Sequence, residues 1–128
     1  MRLAFLVAKA LLDGDFSCDF SWIPSAAVEP ECIVLREGAF EREARMAGEE
    51  RGRSTVTVLV VREEAPTAMD VAERAERWLR EYGWEPVSED GNWRVCGLDT
   101  TAPSLKGRDG SGRFVWEFDV TLTVVRSL

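Results

Sequence analysis

The chain has no histidine, and that absence narrows its chemistry more than any residue it contains. The commonest general base and the commonest metal ligand are both missing. Nucleophile–histidine triads are excluded. Twenty-three carboxylates are present, but no spacing marks two of them as the facing pair a glycosidase needs. Asp13, Asp15 and Asp19 begin like a calcium loop. Cys18 then stands where the turn glycine belongs and Pro24 where the closing glutamate belongs. The three acids read instead as the wet side of a strand. Gly107, Gly110 and Gly112 form G-x-x-G-x-G. A phosphate cradle follows a strand and opens a helix. Here an alternating strand comes after the glycines, so they read as a flexible turn. Cys18, Cys32 and Cys96 are odd in number, with no two at metal-ligand spacing. Cys18 and Cys32 could sit on neighbouring strands, as a bridge or as buried thiols. The five tryptophans could line a ligand pocket, but Trp22, Trp78 and Trp116 fall on core faces. No catalytic, cofactor-binding or metal-binding residue is assigned.

What remains is a protein that works through its surfaces. The 128 residues fit one domain, 1–128. Net charge is −7 and the pI about 4.7. That opposes sequence-specific nucleic acid binding, which needs clustered Lys and Arg. No segment approaches the 18 apolar residues of a membrane helix. The apolar run at 3–8 is interrupted by Lys9 and too short for an export signal. With its odd cysteine count, the chain reads as cytoplasmic.

The elements that must build those surfaces follow from periodicity. Leu3, Leu6, Val7, Ala10 and Leu11 recur at helical spacing over 2–13, with Gly14 as the stop. Residues 15–22 alternate as a strand: Phe16, Cys18, Phe20 and Trp22 on one side. A second strand covers 32–35 and ends before Gly38. Nine of the seventeen residues in 37–53 are charged, which predicts a long hairpin or a mobile loop. Its low apolar content predicts weak order in the free protein, and a fold that survives removal of 41–51. A β-branched strand spans 54–62. Thr67 with Asp70 predicts a helix start. Ala68, Val71, Ala72, Ala75, Trp78, Leu79 and Tyr82 form its apolar stripe, and Gly83 ends it. Trp78, mid-stripe, is expected to be buried against a sheet. Asp90–Gly91 signals a turn, 93–98 a strand, and 99–112 a loop. In the last strand Phe114, Trp116, Phe118, Val120, Leu122 and Val124 face inward. The fold class is therefore α+β, in the order α-β-β-β-α-β-β. The sheet is mainly antiparallel, with two helices packed on one face.

Two segments resemble a known family. Residues 56–82, VTVLVVREEAPTAMDVAERAERWLREY, give a strand, an acidic turn and an amphipathic helix. Residues 95–124 contain GRDGSGRFVWEFDVTLTV, a Gly-Arg-Asp-x-x-Gly-Arg loop feeding a long strand. Together they resemble the bacteriophage minor capsid and tail terminator proteins of the head–tail junction. The resemblance implies a homo-oligomeric ring, usually of six subunits, that caps the tail tube. The tail tube protein and the head-completion protein would be its partners. It implies no enzymatic activity and no cofactor. The location implied is the virion, after assembly in the bacterial cytoplasm. On that reading Phe40 and Met46 anchor the charged segment at a subunit or tube contact. Lys106, Arg108 and Arg113 would meet acidic residues of a neighbour. The competing expectation is a monomeric acidic binding or inhibitor module that engages a basic protein.

Overall fold

A 14-residue strand is paired along both of its edges. It is the last strand, and the computed structural model describes it together with residues 4–16, 19–20, 31–46, 48–84 and 93–127. In chain order the elements are α1 (Ala4–Asp13), β1 (Asp19–Phe20), β2 (Cys32–Met46), β3 (Glu49–Arg62), α2 (Ala65–Glu81), β4 (Trp93–Thr100), β5 (Ser104–Arg108) and β6 (Phe114–Ser127). The expected α+β order is present. One further strand, β5, lies inside the segment expected to be loop.

The sheet order is β1-β2-β3-β6-β4, with β5 also paired to β6. Only β1 joins in parallel; the other pairs are antiparallel. β6 pairs with β3 from Phe114 to Ser127 on one side and is shared by β5 and β4 on the other. Thr101 bridges the gap between those two strands. Its N–H donates to the Asp119 carbonyl at 3.0 Å, and its Oγ1 accepts from the Asp119 N–H at 2.8 Å. A side chain thus continues the hydrogen bonding where the strand is broken.

Both helices cover one face of the sheet. Val7, Ala10 and Leu11 of α1 and Ala68, Ala72, Ala75 and Leu79 of α2 are buried there. They pack over Ile33, Leu35, Val56, Val58, Val60, Phe118, Val120, Leu122 and Val124. The alternation of β6 was the sequence signal for this face, and it holds. On the other face a smaller buried group, Cys32, Val34, Leu59, Val61 and Val115, occupies one end. Polar pairs hold the middle: Thr55 with Thr121 at 3.0 Å and Thr57 donating to Asp119 at 2.7 Å.

Several local expectations are corrected. α2 begins at Ala65, with Pro66 in its first turn and Glu64 as an N-cap that makes no side-chain cap bond. Proline lacks only an N–H that the first turn leaves unpaired anyway, so the helix starts ahead of Thr67. α1 ends at Asp13 rather than at a left-handed Gly14. The left-handed residue is Asp15, at φ 64°. Phe16 N–H bonds the Leu11 carbonyl at 2.9 Å and Asp15 N–H the Leu12 carbonyl at 3.0 Å, a Schellman ending. Gly14 is small for another reason. A Cβ there would lie 2.7 Å from the Trp78 ring. Trp78 is 37% exposed and packs on α1 instead of the sheet, its indole N–H donating to the Ala10 carbonyl at 2.7 Å. The strand expected over 15–22 is described only at β1. Cys18, Trp22 and the Asp90–Gly91 turn lie outside the described residues.

For 37–53 the long-hairpin alternative holds and the mobile, weakly ordered one does not. Residues 37–46 extend β2 and 49–53 extend β3, with paired backbones except at two bulges. β3 also keeps its ladder to β6 as far as Glu49 and Ser127. Residues 49–53, held on both sides, satisfy their backbone whatever their side chains, and they give 37–46 an ordered edge to pair with. Removing 41–51 would therefore take out part of the sheet.

Candidate protein interface

Past the Gly52–Val124 row, where the helix-side core ends, the sheet continues as a charged arm made from the ends of β2, β3, β6 and β4. Its architecture follows from cross-strand rows on the helix-side face. Phe40 is opposite Ser54, Arg42 opposite Gly52, and Arg45 opposite Glu50. Glu50 is in turn opposite Arg126. Opposed residues share a face, so Arg42, Arg45 and Arg126 lie on one face with Glu50.

Glu50 is the carboxylate at the centre of that group and only 2% exposed. It accepts from Arg126 Nε at 2.8 Å and Nη2 at 2.6 Å, a forked pair. Arg42 Nε donates to its other oxygen. The hydrogen bond from Arg126 is the main reason its carboxyl is held below the usual range, with Arg42 adding to it against burial. The two arginines stay at the surface: 58% of the Arg42 side chain is exposed, and about two fifths of Arg126.

Phe40 lies next to this clamp, with its ring over Gly52. It remains 41% exposed. The Met46 backbone closes β2 opposite Glu49; its side chain lies outside the described residues. On the opposite face of the arm, Arg51 and Arg53 approach Glu43 at 3.8 and 2.8 Å.

The second expected contact region is the β5–β6 turn, joined to the sheet at the other end of β6. It is organised by Asp109. One carboxylate oxygen accepts from the N–H groups of Ser111 and Arg113 at 3.0 and 2.9 Å. The other accepts from Arg113 Nε and Nη2, both at 2.7 Å. Burial pushes the Asp109 carboxyl up, but these donors outweigh it and hold it below the ordinary range. The amides that would face a phosphate in a glycine-rich cradle are aimed at Asp109 instead. Arg113 itself is only 4% exposed. Its guanidinium is spent on Asp109, which stiffens its own turn. Arg108 is exposed, its guanidinium 4.3 Å from the Phe114 ring centroid. Lys106 is exposed and lies 3.7 Å from Glu117.

The five expected contact residues thus do not form one site. Phe40 and the end of β2 mark the arm; Lys106 and Arg108 mark the opposite end of the sheet. Sequence reasoning missed Glu50, Arg126 and Asp109, the groups that fix the arginines in place. Glu50 and Arg126 are 76 positions apart, and pattern reading has no signal for such a pair. Asp109 and Arg113 had one, an acid–base spacing of four inside a glycine-rich turn. Among the described residues no three metal-ligating side chains gather, and no helix is long and apolar enough to cross a membrane.

The arrangement sets carboxylate-bonded arginines, an exposed aromatic ring and a hydrogen-bonded turn on one sheet. A family model described as "Bacteriophage tail terminator protein" matches residues 23–126. No curated protein matches the chain significantly. The match takes in both segments that carried the sequence resemblance, the whole arm and the Asp109 turn. The chain belongs to the bacteriophage tail terminator protein family and has a structural role in the phage tail.

Proposed function

We propose that copies of this chain assemble into a ring, six in number, that caps the tail tube and joins it to the head. The observation that carries this reading is the arm, on a chain of this family. A charged end of the sheet that carries exposed arginines around a buried glutamate beside an exposed phenyl ring is suited to contact. Isolated domains do not need such a feature, and Arg with aromatic residues is the composition of interface centres. The tail tube protein lies on one side of the ring and the head-completion protein on the other. Phe40, Met46, Lys106 and Arg108 contribute contacts at the two ends of the sheet. Arg113 contributes by holding the turn that displays Arg108. The protein acts as a minor capsid component without catalysis or cofactor. It assembles in the bacterial cytoplasm and remains at the head–tail junction of the virion.

The test is electron microscopy of purified protein mixed with tail tubes. Rings seated at one end of each tube are expected. A protein that leaves tube ends bare, stays monomeric beside them and binds a basic protein instead would be the acidic binding module, and the ring reading falls.

A further inference from the structure

Resting on the ring reading, we infer that the helix-side face of the arm docks on a second copy of this chain, at an acidic surface of the neighbouring subunit. The face carries Arg42, Arg45 and Arg126 with one carboxylate, Glu50, buried among them. Its net charge is +2 on a chain of −7. The rest of the molecule therefore carries −9, so every copy brings the counter-charge that this face needs. Complementary patches of this kind steer association and fix its register. The contact is heterologous, a basic arm meeting an acidic region elsewhere on the partner. Contacts of that type generate rings when the rotation closes.

The clamp gives the face more than charge. Glu50 holds Arg126 by a forked pair and Arg42 through Nε. The Arg42 side chain stays 58% exposed while its Nε is held by Glu50. Side chains ordered before binding lose less freedom on binding. Phe40, exposed beside them, supplies an apolar anchor. A tail tube partner would need to be acidic at its end to fit this face; the neighbouring subunit is acidic by composition.

Two measurements test the inference. First, Phe40 is replaced by the photoreactive p-benzoylphenylalanine, which keeps an aromatic ring over Gly52. The full chain is mixed with tail tubes and irradiated. A cross-linked product of twice the chain's mass is expected. A product containing the tube subunit, or rings that yield no product, overturns the inference while leaving the ring reading intact. Second, Arg45→Glu, at an exposed position, is mixed with tubes in parallel. Ring occupancy of tube ends should fall at least tenfold with the melting temperature unchanged. Unchanged occupancy overturns the inference. Wild-type protein that never forms rings on tubes removes the ring reading itself.

Discussion

The phenyl ring of Phe40 on β2 lies across the strand on Gly52 of β3. A Cβ at Gly52 would overlap that ring and would stand 2.6 Å from the Glu41 carbonyl. The glycine is the seat of the aromatic side chain, an arrangement that pins strand register. Gly52→Ala should therefore lift Phe40 or shift β2, at a cost of roughly 1–3 kcal/mol. Urea unfolding monitored by circular dichroism measures it. A change near zero would mean that the ring moves aside without resistance.

Trp78 joins the two helices from a half-open position. Trp78→Phe keeps an aromatic ring and removes the donor to the Ala10 carbonyl, which should cost about 1 kcal/mol. Trp78→Ala also removes the packing over Gly14 and should cost roughly 2–3 kcal/mol, toward the low end for aromatic truncation because the ring is partly exposed. Phe118→Ala, in the buried centre of β6, should cost about 3–5 kcal/mol. Equal losses at positions 78 and 118 would put Trp78 back in the core.

Asp15 holds the left-handed position at the end of α1. An L-residue is strained there and glycine is not. Asp15→Gly is expected to raise stability by about 1 kcal/mol, read as a higher denaturation midpoint. A loss would mean that the Asp15 side chain contributes more than its backbone strain costs.

The β5–β6 turn separates two arginines that look alike in sequence. Arg113→Glu places a second acid against Asp109 inside a buried pair and should cost roughly 1–3 kcal/mol. Arg108→Glu, at an exposed position, should change stability by under about 0.5 kcal/mol. Thermal melts of the two single variants decide the matter. Similar melting temperatures would show that the buried pair adds nothing to folding.

Acid should weaken the molecule through two carboxylates. Glu50 and Asp109 are both held below their ordinary range when folded. A depressed folded pKa adds stability that is fully present above the unfolded value. It is lost as pH falls through the folded value. The loss is thus expected below the normal carboxylate range, and neutral pH should have little effect. Melting temperatures of wild type, Glu50→Gln and Asp109→Asn from pH 7 downward should converge in acid. Parallel curves would mean that neither carboxylate contributes through its charge.

Much of the fold was legible in the sequence because period and propensity act locally. The alternation of Phe118, Val120, Leu122 and Val124 identified the core face of β6, and Ala68 to Leu79 identified the buried stripe of α2. Gly107, Gly110 and Gly112 read as a turn because a strand, not a helix, comes after them. These conclusions need only neighbours within a turn or a few residues along a strand.

Tertiary structure decided what local patterns could not. Segment 37–53 has too few apolar residues to predict order, yet 37–46 pair with β3 and 49–53 are held between β2 and β6. Trp78 fits a core stripe by spacing, but the bare backbone at Gly14 and the Ala10 carbonyl draw it onto α1. Arg113 and Arg108 flank one turn, and only the fold buries the first and exposes the second. Glu50 looked like one charge among nine, until register set Arg45 on one side and Arg126, 76 residues away, on the other. Pairing across a sheet is fixed by which strands meet and in which register, so charges scattered along the chain become a clamp only once the strands align.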